Sequence, residues 1–126
     1  MLDRYTEDAR KVIFLARYEA SRLNSPALEP AHLWLGLLRQ APKLVRQNAP
    51  GITADAQYQQ LPPHDPDAER VSLTVEIPLS PSAAAALTAA ATHADHYNQP
   101  FITPHFLILG LLASAQTTEN QPPHPE

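Results

Sequence analysis

The chain has 126 residues, 44% of them apolar, no cysteine and a formal net charge of −4. That length holds one hydrophobic core, or two small halves that share one; the missing cysteine excludes disulfides and thiolate metal sites, and no apolar run approaches the roughly 20 residues of a membrane helix. Residues 1–48 hold eight of the nine Lys/Arg against five acids (+3), whereas residues 49–126 hold Arg70 alone against eight acids (−7); this polarity can orient a charged partner or a second copy, but no aromatic-rich basic motif of a nucleic-acid binder accompanies it.

The start, MLDRYTEDARK, carries acids and no apolar stretch, so a signal peptide is not expected and a cytoplasmic location is. Thr6 reads as an N-cap, with Glu7 and Asp8 in the first turn, where the helix dipole favours acids. Ala9, Val12, Ile13, Ala16, Ala20 and Leu23 recur at helical spacing and predict an amphipathic helix ending near Asn24, with Arg10, Lys11, Arg17 and Arg22 off its apolar stripe. Pro26 and Pro30 bracket a loop, and Pro30 is placed to open a second helix. His32 to Leu38 is apolar on nearly every side, which predicts burial on several faces. Pro42 opens a short third helix through Gln47, and Thr53 caps a fourth over roughly 54–61.

Residues 62–70 are proline-rich and acidic and read as a linker, and Val71, Leu73, Val75 and Ile77 alternate with Ser72, Thr74 and Glu76 as in an extended segment. Ser80 and Pro81 start a second long helix whose stripe is Ala83, Ala86, Leu87, Ala90, Ala94 and Tyr97. His105 to Leu112 predicts a second buried helix, and the tail from 114 to 126 is expected to be disordered.

These elements are a repeat. Shifted by 74 positions, residues 6–38 align with 80–112 without a gap, and 11 of the 33 are identical. The identities include Ala9/Ala83, Ala16/Ala90 and Ala20/Ala94 on the stripe, Asn24/Asn98, Pro26/Pro100 and Pro30/Pro104 at turns, and Gly36/Gly110 within the apolar helices. Glycine costs about 1 kcal/mol against alanine inside a helix, so its recurrence predicts close helix–helix approach. One helical hairpin is used twice.

The residues RYTEDARKVIFLARYEASRLN and EPAHLWLGLLR, followed by IPLSPSAAAALTAAATHA and ITPHFLILGLL, resemble the two repeats of the Clp amino-terminal domain family. The likeness covers about residues 2–61 and 75–113, with both copies in the right order. It implies an all-α bundle of two four-helix repeats related by a pseudo-twofold axis, whereas the elements read along this chain give a first repeat of four helices over 1–61, a linker and extended segment over 62–79, and a truncated second repeat of two helices over 80–113, about six helices in one domain. It also implies a non-catalytic module that binds proteins or peptides, and modulates a Clp-type AAA+ ATPase through its substrates or adaptors. The chain has no G-x-x-x-x-G-K-[ST] phosphate loop, and glycines at 36, 51 and 110 cannot form one.

In phosphoarginine-recognising relatives of the ClpC kind, the resemblance implies a glutamate in each repeat whose carboxylate meets the guanidinium. Those positions are Ala31 and His105, so loss of phosphoarginine recognition is expected. Thr6 and Ser80 at the helix starts, with Arg10, remain as binding candidates beside Ala31 and His105. No catalytic residue, metal or cofactor is expected. His93 and His96 have i, i+3 spacing that can chelate zinc, with Asp95 and His105 near in sequence, but solvated histidines account for them better. The alternative function is a self-associating structural module, a homodimer using apolar surface on the 105–112 helix that the shorter second repeat leaves uncovered.

Overall fold

The computed structural model describes residues 3–61 and 77–119. Among the described residues six helices follow one another: α1 (Glu7–Arg22), α2 (Pro30–Gln40), α3 (Pro42–Asn48), α4 (Ala54–Gln60), α5 (Pro81–His96) and α6 (Pro104–Glu119). The fold is all-α, and α1–α2 and α5–α6 form the two closely packed hairpins.

Each hairpin is built by the same local chemistry. The Thr6 hydroxyl accepts from the Ala9 N–H at 3.2 Å and the Ser80 hydroxyl from the Ala83 N–H at 3.0 Å, which satisfies one open donor at each helix start. Both long helices end on a left-handed asparagine, Asn24 at φ 52° and Asn98 at φ 56°. There the Ser25 N–H reaches the Ala20 carbonyl and the Gln99 N–H the Ala94 carbonyl, the 6→1 bond of a Schellman ending. This termination turns the chain back along its own helix.

The stripes Ala9, Val12, Ala16, Ala20 and Ala83, Ala86, Ala90, Ala94 are fully buried. Small residues allow α2 and α6 to approach closely. A Cβ built on Gly36 would lie 2.5 Å from the Val12 carbonyl oxygen, and one on Gly110 would lie 2.4 Å from that of Ala86. The two glycines and their two backbone neighbours are all related by the 74-residue repeat.

The copies join through two short parallel bridges, Tyr5 with Ile102 and Leu28 with Leu79. The Thr6 N–H donates to the Ile102 carbonyl at 3.0 Å, and the Ile102 N–H to the Arg4 carbonyl at 2.8 Å. At the other joint the Ser80 N–H donates to the Leu28 carbonyl at 3.0 Å, and the Leu28 N–H to the Pro78 carbonyl at 2.8 Å. These four bonds exchange into one another under the repeat, which makes the association pseudo-twofold. One apolar core, containing Val12, Leu33, Trp34, Leu37, Ala90, Leu107 and Ile108, runs through both copies.

Three features differ from the sequence expectation. Tyr97, placed on the buried stripe, is 59% exposed. Its counterpart Leu23 packs beside Leu61 at the end of α4, and among the described residues copy two has no helix there. Second, α6 continues to Glu119 rather than giving way to a disordered tail from 114, because Ala113, Ala115, Gln116 and Glu119 are compatible with helix; residues 120–126 lie outside the described residues. Third, α6 is well covered: Phe106, Leu107, Ile108 and Leu111 are buried, and Leu109 and Leu112 partly so. It touches α1, α2, α3 and α5, so its apolar faces are used inside the molecule. The 62–70 linker and all but Ile77 of the alternating segment fall outside the described residues.

Candidate functional site

The two joints set the positions of the candidate binding residues. At the first, Ile102 pairs with Tyr5 and then leads into α6, which brings the start of that helix, with His105, to the side of Thr6 and Arg10. At the second, Leu28 pairs with Leu79 and leads into α2, so Ala31 belongs with Ser80. The five residues therefore divide between two symmetry-related places.

Their environments are unlike. The Thr6 and Ser80 hydroxyls are engaged as caps, and Ser80 is buried. The Arg10 side chain is on the surface, and its Nε donates to the Tyr5 carbonyl at 3.1 Å. Ala31 is buried, with its methyl group in a cluster with Leu35 and Leu61. His105 is exposed and stacks on Phe106, with ring centroids 6.2 Å apart. The Ala31 position is therefore closed by the Leu61 end of α4, whereas the His105 position presents an imidazole to solvent.

Beside the first joint lies an open depression of about 490 Å3 lined by Arg4, Asp95, Asn98, Gln99 and Pro100. Arg4 crosses from copy one to copy two there. Its Nη2 meets Asp95 Oδ1 at 2.8 Å and the Gln99 carbonyl at 3.3 Å, and its Nε donates to the Pro100 carbonyl at 3.2 Å. Sequence reasoning missed this cross-copy role, because nothing local pairs Arg4 with a residue 91 positions away. Burial raises the Tyr5 hydroxyl above its ordinary pKa, against a smaller opposing effect of Arg4, so the ring is neutral. Leu79 and Phe101, at 38% and 55% exposure, place apolar surface at the two joints.

Two further polar groups lie within the first hairpin. His32 is fully buried; its Nδ1 accepts from the Glu29 N–H at 2.8 Å, so Nε2 carries the proton and donates to Ser25 Oγ at 3.1 Å. Desolvation outweighs the attraction of Glu19 and lowers its pKa to about 4. Phe106 occupies the same place in copy two, so this ring fills and pins a loop. Glu19, 3% exposed, is the second group. Its Oε2 accepts from Arg22 at 2.8 Å and from the Tyr58 hydroxyl at 3.1 Å, and Arg39 lies 3.5 Å from Oε1. The hydrogen bond to Glu19 holds Arg22 above its ordinary pKa, and burial beside the same carboxylate raises that of Tyr58. One sequence signal existed: a carboxylate between Ala16 and Ala20, with an arginine three residues on.

Among the described residues no group of three His, Cys, Asp or Glu side chains is placed to hold a metal ion, and no helix is long and apolar enough to cross a membrane. Asp95 is engaged by Arg4, and His96 sits edge-on to Tyr97.

The fold is shared with solved structures. The N-terminal domain of the caseinolytic protease associated chaperone ClpD from Arabidopsis thaliana superposes with a TM-score of 0.67 at 21% identity, over 97% of this chain and 88% of that one. The N-terminal domain of Hsp104 from Candida albicans gives 0.71 at 19% identity, over 93% and 79%. In sequence, the chloroplastic chaperone protein ClpD1 of Oryza sativa subsp. japonica is 27% identical over 128 residues, which span 95% of this chain but 14% of the rice protein. With residues 4–120 matching the family model of the Clp repeat (R) N-terminal domain, and both hairpins and both joints in place, the chain belongs to the Clp N-terminal domain family.

Proposed function

We propose that this chain is a non-catalytic protein- and peptide-binding module that acts in the cytoplasm and is accessory to a Clp-type AAA+ ATPase. The observation that carries the reading is the retained double-hairpin scaffold of the Clp N-terminal family, with its joints intact, in a sequence without a phosphate-binding loop. Such a domain contributes recognition, and ATP-driven work belongs to a phosphate-loop ATPase module. Exposed Leu79 and Phe101 at the joints supply apolar contact area on a rigid frame.

Affinity capture with the folded chain as bait, followed by mass spectrometry, is expected to recover a Clp-type ATPase together with its adaptor or substrates. Recovery of neither would reject the accessory role. Phosphoarginine is not the expected ligand: Ala31 offers no acceptor and is buried under α4, and His105 is a weak substitute for a carboxylate. A calorimetric titration with phosphoarginine should show no binding; micromolar affinity would reject that expectation. Self-association as a homodimer has less support, because α6 is largely covered within the chain.

A further inference from the structure

The repeat supplies an internal control for what the fold requires. Helices α1 and α5 share a register, a hydroxyl cap, a left-handed asparagine ending and a close glycine contact. Their buried small-residue stripes match (Ala9, Val12, Ala16, Ala20 and Ala83, Ala86, Ala90, Ala94), but their outward faces do not. On α1, Lys11, Phe14 and Tyr18 follow one another at i, i+3, i+7 along the exposed face, flanked by Arg17. The same positions on α5 are Ala85, Thr88, Thr92 and Ala91. A helix of this geometry in this environment therefore folds without cations or aromatic rings on its outer face.

Those side chains form a defined surface. Phe14 is 59% exposed and Tyr18 39%, and they lie one helical turn apart. The Arg39 guanidinium, from α2, sits 5.9 Å from the centre of the Tyr18 ring and its side chain is 56% exposed. Its copy-two counterpart is Ala113. The acids nearest in the sequence are accounted for: Glu7 and Asp8 occupy the first turn, where Asp8 accepts from Gln40 at 3.4 Å, and Glu19 is buried beneath Arg22 and Arg39. The outer stripe beyond that first turn carries Lys11, Arg17 and Arg39 beside two aromatic rings.

We propose that this stripe is a docking surface for an acidic segment of a partner protein, one that presents carboxylates around a large apolar side chain. The inference rests on the reading of the chain as a protein-binding module and names one surface of it. The cations select the charge of the partner, and arginine matches carboxylates through paired N–H groups. Phe14 and Tyr18 select the apolar anchor, since binding energy concentrates on a few residues among which tyrosine and arginine are enriched. Three cations on a ridge do not track a phosphate backbone, which makes protein the better fit than nucleic acid.

The copy-two residues provide the test. The variant Lys11→Ala, Phe14→Thr, Arg17→Ala, Tyr18→Thr gives α1 the outer face that α5 already carries, and its folding is checked by circular dichroism and thermal melting. The probe is a fluorescent peptide of glutamates around one tryptophan, read by anisotropy at low salt. The wild-type chain is expected to bind it, and the variant to bind about tenfold or more weakly. Placing the four residues on α5 of that variant together with the counterpart of Arg39 (Ala85→Lys, Thr88→Phe, Ala91→Arg, Thr92→Tyr, Ala113→Arg) is expected to restore binding; if the four-residue variant folds poorly, the single substitutions Phe14→Thr and Arg17→Ala in the wild-type chain are each expected to weaken binding severalfold, and unchanged binding by both overturns the proposal. The proposal is overturned if the wild type does not bind, if the four-residue variant binds equally well, or if a glutamine version of the peptide or a single-stranded oligonucleotide binds as tightly. Affinity capture with both chains separates the two readings. A Clp ATPase recovered equally by wild type and variant, with no peptide binding, removes this surface and leaves the module intact. Peptide binding without any ATPase removes the accessory role and leaves the surface.

Discussion

At His32 a polar ring lies where its copy-two counterpart is Phe106, and the difference has a measurable sign. Burial lowers the folded pKa from 6.5 to about 4, so between those values the unfolded chain binds the extra proton. Stability is complete above about pH 6.5, declines as pH falls, and has lost about 3 kcal/mol near pH 4, at about 1.4 kcal/mol per unit. Urea unfolding as a function of pH should show this slope, and the His32→Phe variant should flatten it. That variant leaves the Glu29 N–H and the Ser25 hydroxyl without their partner, a loss of about 1–3 kcal/mol at neutral pH. The glycines are the other decisive single residues. Gly36→Ala or Gly110→Ala drives a methyl group into a backbone carbonyl, and the helices must separate. Each is expected to destabilise by about 1–3 kcal/mol in denaturant titration, against the gain of about 1 kcal/mol that alanine gives in an open helix.

Among the elements, α4 shows what separates the two copies. It has seven residues, too few to be stable alone, and it is held by Thr53 capping Ala56, by Leu61 over Ala31 and Leu35, and by Tyr58 on Glu19. At the equivalent surface of copy two stand Tyr97, His105, His93 and His96 in place of Leu23, Ala31, Glu19 and Arg22. Apolar and ion-paired residues occur where a helix covers them, and residues that tolerate water where none of the described ones does. Glu19→Ala should release α4 first. Arg22 and Arg39 are partly exposed and can be solvated, so the expected loss is modest, about 1–2 kcal/mol. Hydrogen exchange should show faster amide exchange over residues 54–60 with the α5–α6 hairpin unchanged; equal acceleration everywhere would contradict this. The element starts were legible because Thr6, Pro30, Pro42, Thr53 and Ser80 act within a single turn. The ends of α6 and the exposure of Tyr97 were not, because both depend on which distant helix is present.

Over the whole molecule, the joints and the shared core bind the hairpins into one cooperative unit. Each hairpin completes the other's edge: the loop of one supplies the backbone partners for the strand-like entry of its neighbour. Calorimetry should therefore give a single transition, with equal calorimetric and van't Hoff enthalpies. Two separate transitions would show that the copies fold independently. Arg4, despite three contacts across the joint, is half-solvated with Asp95, and an ion pair of that exposure adds little to this cooperativity.

By itself the sequence determined the helices, their caps, the repeat and the family. Periodicity, hydroxyl caps and left-handed asparagines act over a few residues, and the duplication displays them twice. Only the tertiary structure decided that Thr6 bonds to Ile102, that Ala31 lies under Leu61 and that Glu19 holds Tyr58. Those relations join residues far apart in the chain, where no local pattern records the pairing, and they are set by how the two hairpins pack.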